Sequence, residues 1–245
     1  MAGFFRNLGK MVGQNYRKAD WLVRSMVGTE TEAMEAEQAV GKDLAMAFAK
    51  ENTLDPDPKS QQFLEKVSAR LLECVVDPRR QFAFHSVEKP ELNALAMPGG
   101  YIFVMRPLLD VCEWNEDEIA FVLGHEMGHV ILKHTINRIM ANTAVNTAFL
   151  RFPLGGLLGM GILHVVTELL DQGYSREQEL DADGFGVKIA GYAGFDPHAG
   201  KRALSRLAQL PTEKWFGSTY FSSHPEWETR LANIDKVIEQ LQSNS

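Results

Sequence analysis

Two histidines and a glutamate stand close together in the stretch HEMGHVILKH, residues 125–134. His125 and His129 are spaced i, i+4, so on a helix they differ by about 40° and both side chains can reach one metal ion. Glu126 can touch a water bound to that metal without binding the metal itself. Zinc lowers the pKa of bound water to about 7, and a neighbouring carboxylate can then take its proton. The spacing therefore predicts half of a zinc-hydrolase site.

A catalytic zinc usually has three protein ligands and one open position, so the prediction needs a third ligand. Glu179 and Asp183, spaced i, i+4 in SREQELDADGFG, can provide it. Glu179 would complete a His₂Glu site, and Asp183 would accept the ring N–H of a zinc-bound histidine and fix its tautomer. Small residues would let this helix approach the first one closely: Ala182, Gly184 and Gly186. The alternative is a solvated acidic face formed by Glu179, Asp181 and Asp183.

The third histidine of the opening stretch, His134, does not fit this geometry. Asn115 and Glu118 form a capping pattern that predicts one long helix from there to about Leu150. On a continuous helix His134 points away from His125. We therefore expect His134 to be a surface or structural histidine, outside the site.

Charge is distributed unevenly along the chain. The net charge is −7, which argues against a general nucleic-acid binder, but residues 1–28 carry five basic residues and one acid. This segment sorts into an apolar and a basic half on a helical wheel. It can dock on the rest of the protein or on a second copy, lie on an anionic membrane surface, or serve as a targeting peptide. We expect residues 29–245 to form a single catalytic domain.

The order of predicted elements is helices, a small sheet, then more helices, which indicates an α+β fold. The strands are expected in QFAFHSV, NALAM and YIFVM, directly before the helix with the histidines. Residues 152–167 hold no Asp, Glu, Lys or Arg, but this run is shorter than the roughly 18–20 residues of a membrane span. A buried helical hairpin is favoured there, with membrane insertion as the alternative. No secretory signal is recognisable, so a cytoplasmic or membrane-peripheral location is expected, with organellar targeting still open.

Taken together, these motifs resemble a family of zinc metallopeptidases, the gluzincins that include the HtpX-like, BepA-like and mitochondrial OMA-type proteases and the CAAX prenyl protease. The resemblance covers about residues 35–235. Besides the two motifs, NALAMPGGYIFVMRPLL is similar to the family's signature before the active-site helix, and AGYAGFDPHAG and SSHPEWETR resemble its later segments. The resemblance implies a zincin-like fold with the small sheet before the active-site helix.

The resemblance also implies roles for further residues. His224 would hydrogen-bond the oxyanion, with Tyr220 as a weaker candidate, and Arg230 would support the site. An edge strand would pair with the extended backbone of a substrate, and it consists of Ala94, Leu95, Ala96 and Met97. The membrane spans and repeats of several family members are not recognisable in this sequence, so their substrates are not transferred.

The sequence thus predicts a zinc-dependent endopeptidase with one Zn²⁺ per chain, which acts on proteins or peptides. Peripheral membrane contact through residues 1–28 and 152–167 would suit protein quality control near a membrane. The alternative is a zinc-containing chaperone-like or binding module whose proteolysis is weak or gated.

Overall fold

The computed structural model of the protein describes residues 29–141, 173–210 and 227–243. This range confirms the predicted α+β fold, because helices precede and follow a small sheet. The elements in chain order are α1 (Glu30–Glu51), α2 (Pro58–Leu72), β1 (Ala83–Val87), β2 (Ala94–Met97), β3 (Tyr101–Met105), α3 (Arg106–Val111), α4 (Glu116–Ile131), α5 (His134–Ala141), α6 (Arg176–Tyr192), α7 (Ala199–Ala208) and α8 (Trp227–Ser243).

Several predicted features lie outside the described residues. They are the amphipathic segment 1–28, the apolar run 152–167, and the loop that contains Tyr220 and His224. Across the ranges that are described, no helix combines the length and the apolar character needed to cross a membrane.

Capping boxes begin two of the helices. The Thr29 hydroxyl accepts a hydrogen bond from the Glu32 backbone N–H at 3.3 Å, and the Glu32 carboxylate accepts one from the Thr29 N–H at 2.8 Å. Ser175 and Gln178 exchange the equivalent pair of bonds at the start of α6. These bonds satisfy N–H groups that have no partner inside the helix, so they fix where α1 and α6 begin.

The three strands form one sheet in the order β1-β3-β2. β1 runs parallel to β3, whereas β2 runs antiparallel to it, with Ala94 opposite Val104. The turn Pro98–Gly100 joins β2 to β3, and its two glycines have φ values of 74° and 89°, a region that favours glycine. β2 is therefore an edge strand of this sheet, and its four side chains are buried.

Helix α4 lies at the centre of the described structure. All its residues from Glu118 to Val130 are buried, including the two histidines and the glutamate between them. It packs against the sheet, α2, α6 and α7. Because α4 is enclosed on all sides, its apolar residues form the core while its few polar residues need partners from neighbouring elements.

The predicted continuous helix to about Leu150 is wrong. α4 ends at Ile131, and Lys133 has a φ of 61°, the left-handed conformation that often ends a helix. The backbone N–H groups of Leu132 and Lys133 still bond to carbonyls of the last turn, at 2.9 and 3.0 Å. The chain then starts a separate helix, α5, at His134. The side chains of α5 therefore point in directions different from those on a continuous helix.

Glycines bring α4 and α6 into backbone contact. A Cβ atom on Gly186 would lie 2.9 Å from the backbone N of His125, and one on Gly124 would lie 3.1 Å from the Gly186 Cα. A Cβ on Gly128 would lie 3.2 Å from the Ala182 Cα. The predicted roles of Ala182 and Gly186 are thus confirmed. The predicted role of Gly184 is wrong, because a Cβ there would point to α8, at 3.6 Å from Val237 Cγ2.

We expect Gly186→Ala to lower the free energy of unfolding by roughly 1–3 kcal/mol, because the added methyl would meet backbone atoms that cannot move aside. Gly184→Ala is the matched control on the same helix. Its methyl would make an ordinary contact and alanine favours the helix, so its stability should stay equal or rise by up to about 1 kcal/mol. Urea unfolding of both variants checks this, and equal losses would contradict it.

Candidate metal centre

The side chains of His125, His129 and Glu179 converge between α4 and α6. The two Nε2 atoms lie 3.1 Å apart. The Glu179 carboxylate oxygens lie 3.7 Å from the Nε2 of His125 and 3.5 Å from that of His129. All three side chains are buried, and their ligand atoms lie within 4.8 Å of one another.

This donor set fits a tetrahedral zinc ion. With bonds of about 2.0–2.2 Å, such an ion separates its ligand atoms by roughly 3.3–3.5 Å, close to the distances between the imidazole nitrogens and the carboxylate. Two imidazoles and one carboxylate are also a known zinc ligand set that leaves a position open for water. A divalent cation would in addition compensate for the burial of the Glu179 charge.

A carboxylate holds His125 from the side opposite the centre. His125 Nδ1 lies 2.9 Å from Asp183 Oδ1. A carboxylate accepts hydrogen bonds only, so the Nδ1–H of His125 donates to it and the Nε2 keeps its lone pair for a metal. Asp183 lies one turn after Glu179 on α6, behind the His125 ring.

Arg230, on α8, bridges Asp183 and Glu179, two of the acids of α6. Its Nε and Nη2 atoms donate to the Asp183 carboxylate at 2.8 and 2.7 Å, and its Nη1 lies 3.1 Å from Glu179 Oε2. The arginine is 1% exposed, so its charge acts in a site without bulk water. Forked hydrogen bonds of this kind fix the orientation of a carboxylate as well as its charge.

The charges of this cluster shift pKa values in opposite directions. Burial alone would raise the pKa of Asp183, but Arg230 and the hydrogen bond from His125 outweigh it and hold the pKa below its usual range. Burial alone would lower the pKa of His125, but its bond to Asp183 and the nearby Glu179 carboxylate raise it. A metal ion bound at Nε2 would have to displace the proton that His125 then favours, so metal affinity would decrease as the pH falls.

The interpretation of His134 as a histidine outside the site is wrong. It is 6% exposed, and its Nδ1 lies 3.0 Å from the Nδ1 of His129. The break at Lys133 turns the chain so that the first residue of α5 faces the end of α4. No glycine or proline marks this break, so the sequence pattern did not reveal it.

Tyr174 is a further residue of the site that the sequence analysis missed. Its ring stacks on the His129 ring, with 3.7 Å between centroids and 12° between planes. It directly precedes Ser175, the N-cap of α6, and an apolar residue at that position often packs back onto neighbouring structure. The capping pattern could therefore have identified it as a residue that faces inward.

The remaining predicted site residues occupy different places. Glu126 is 1% exposed and lies in the same helical turn as the two histidines. The strand Ala94–Met97 packs against α4 from the sheet edge. His224 lies outside the described residues.

The sequence matches known proteins over the part that forms this centre. The sequence model of peptidase family M48 matches residues 58–238. The chain is 27% identical over 184 residues to the mitochondrial metalloendopeptidase OMA1 of Schizosaccharomyces pombe, which covers 74% of this chain and 53% of that protein. It is 30% identical over 159 residues to the OMA1 protein of Arabidopsis thaliana, covering 63% of this chain and 32% of the relative.

A bacterial relative matches the chain with similar identity and coverage. The β-barrel assembly-enhancing protease of Escherichia coli K12 is 25% identical over 196 residues, which cover 76% of this chain and 40% of that protein. The chain thus spans about half, or less, of the length of these three relatives.

We expect Arg230→Met to lower the unfolding free energy of the metal-free protein by about 3–5 kcal/mol, because Asp183 would keep a buried charge without its guanidinium partner. Lys201→Met is the control, since it removes an ion pair with Asp235 of 2.7 Å in which both side chains are about half exposed. Its loss should stay within about 1 kcal/mol. Urea unfolding in the presence of a chelator measures both, and similar small losses would contradict the expected role of Arg230.

Proposed function

The chain belongs to peptidase family M48, and on this basis we propose that it is a zinc-dependent endopeptidase that hydrolyses peptide bonds in protein substrates. The observation that carries the proposal is the buried convergence of His125, His129 and Glu179. Relatives named metalloendopeptidases support the same class of reaction.

In this proposal the three convergent side chains would hold one Zn²⁺, which would supply a Lewis acid for activating water and polarising the substrate carbonyl. Glu126 takes the proton from the attacking water and later delivers it to the leaving nitrogen. His224 donates a hydrogen bond to the oxyanion of the tetrahedral intermediate. Asp183 and Arg230 keep His125 and Glu179 in position, which their hydrogen bonds support.

We assign substrate binding to the edge strand. Ala94–Met97 pairs with β3 on one side, and an extended peptide could add to the other side as a further strand. Main-chain hydrogen bonds of this kind hold a peptide with little regard to its sequence, which suits a protease for proteins of many kinds. The packing of β2 on α4 supports this assignment, because it connects the strand to the helix that carries Glu126.

The setting of the reaction is proposed from the relatives and from charge. The relatives are named as mitochondrial metalloendopeptidases and β-barrel assembly-enhancing proteases, which supports a role in protein quality control near a membrane. The basic segment 1–28 and the apolar run 152–167 would provide peripheral membrane contact. Mitochondrial relatives also make an organelle a possible location, alongside the cytoplasm.

We expect Glu126→Gln to retain zinc while peptide cleavage falls by roughly 10²- to 10⁴-fold, because glutamine cannot accept the proton of water. Glu116→Gln, at the partly exposed start of the same helix, is the matched control and should cleave normally. A peptidase assay combined with zinc analysis measures both. Cleavage by Glu126→Gln at the wild-type rate would contradict the mechanism, and a cellular activity that survives the loss of cleavage would favour a binding module.

We expect Glu179→Ala to lose the zinc that the wild-type protein holds at one ion per chain, since two histidines alone bind it weakly. Glu177→Ala removes an exposed acid from the same turn of α6 and should retain zinc. Metal analysis after purification decides between these outcomes, and undiminished zinc in Glu179→Ala would contradict its role as a ligand. A chelator should lower the melting temperature of the wild type and of Glu177→Ala, because a bound metal stabilises the folded state.

A further inference from the structure

The two ligand histidines are both held through Nδ1, but by chemically different partners. His125 Nδ1 faces the Asp183 carboxylate at 2.9 Å, whereas His129 Nδ1 faces the Nδ1 of His134 at 3.0 Å. Both Nε2 atoms point to the centre, where they lie 3.1 Å apart. The centre therefore has a charged support on the α6 side and an imidazole support on the α5 side.

We propose that His134 is a positioning residue for His129, which accepts the Nδ1–H of that ring while Tyr174 holds the ring face. The inference rests on the proposed zinc site and extends it. A neutral imidazole has one N–H and one lone pair, so an accepted hydrogen bond at Nδ1 leaves the lone pair of His129 on Nε2. His134 thereby selects the tautomer that can bind a metal at the centre.

Stacking restricts the remaining freedom of the His129 ring. The Tyr174 ring lies nearly parallel to the His129 ring, with 3.7 Å between their centroids. The Arg138 guanidinium in turn lies 4.2 Å from the centroid of the Tyr174 ring. The hydrogen bond fixes rotation of the imidazole in its own plane, and the stacked phenol fixes the tilt of that plane. Together these contacts define the direction of the Nε2 lone pair.

Helix α5 brings this support to the centre as one unit. His134 and Arg138 are spaced i, i+4, so they lie on the same face of α5. His134 approaches the edge of the His129 ring, and Arg138 lies over the Tyr174 ring. The break at Lys133 is what allows residues so near α4 in sequence to turn back on it.

A core histidine that merely fills space would have the same burial, so the test must separate hydrogen bonding from packing. His134→Asn retains an acceptor close to the position of Nδ1, whereas His134→Leu retains similar volume without an acceptor. His85→Leu is the control for histidine replacement, because His85 is a half-buried residue of β1 that packs on Phe103 at 5.3 Å between ring centroids.

The experiment measures zinc affinity of the full chain at fixed pH by competition with a chromophoric chelator, and the absorption spectrum after replacement of zinc by Co²⁺. We expect His134→Leu to lose roughly 10- to 100-fold in zinc affinity and to change the Co²⁺ spectrum, as loss of a ligand's hydrogen-bond partner does elsewhere. His134→Asn should recover most of the affinity and the wild-type spectrum, and His85→Leu should match the wild type. For peptide cleavage, His134→Leu should lower kcat by a larger factor than the factor by which it changes KM.

The outcomes separate this inference from the function on which it rests. A wild-type protein that binds no zinc would overturn both. Wild-type zinc binding together with unchanged affinity in His134→Leu, or with equal losses in His134→Leu and His134→Asn, would overturn the role of His134 alone. If His134→Leu fails to fold, His134→Gln replaces it, because its longer side chain moves the acceptor away from Nδ1; affinity equal to that of His134→Asn would then overturn the inference.

Discussion

Backbone contact between α4 and α6 is the constraint on which the metal centre depends. Gly124 and Gly186 let the two helix axes approach until main-chain atoms touch. An aspartate has a short side chain with two rotatable bonds, so Asp183 can reach His125 at 2.9 Å only from such a close helix. A wider spacing would move the Asp183 and Glu179 carboxylates away from the histidines, and the short aspartate has no rotamer that restores the contact.

Close approach also creates an electrostatic problem that α8 resolves. Two carboxylates are buried one helical turn apart on α6, and charges in such a place require partners with well-directed hydrogen bonds. Arg230 contacts both Asp183 and Glu179, and its fork reaches them from a third helix. Different segments thus determine the geometry and the charge balance of the centre. The glycines of α4 and α6 set the distance between the two helices, and the Arg230 guanidinium compensates for the buried charges of Asp183 and Glu179.

Those parts of the fold and the centre that depend on local periodicity could be predicted from the sequence. The i, i+4 spacings of His125–His129 and Glu179–Asp183 need only a helix to place each pair on one face, and the capping box at Ser175 fixes where the second helix begins. The three short strands follow in the same way from alternation and from the Pro98–Gly100 turn.

What could not be predicted depends on a single backbone conformation and on which way a small residue faces. Lys133 adopts a backbone conformation that glycine usually occupies, so its residue type does not indicate that α4 ends there. The sequence pattern instead predicts a continuous helix, and on that helix His134 points away from His125. Gly184 was assigned to the α4 contact because of its size, but its direction depends on the arrangement of three helices, which sequence spacing does not contain.

The contacts of Asp183 indicate when the centre forms during folding. Its partner His125 lies 58 residues before it, and its partner Arg230 lies 47 residues after it. Contacts so distant in sequence form late, since the entropy of closing each loop is lost before the contact stabilises the chain. A nascent chain can therefore carry both motifs and yet have no finished centre. The centre is complete only when α8 docks, so the candidate metal site would form together with the final assembly of the fold.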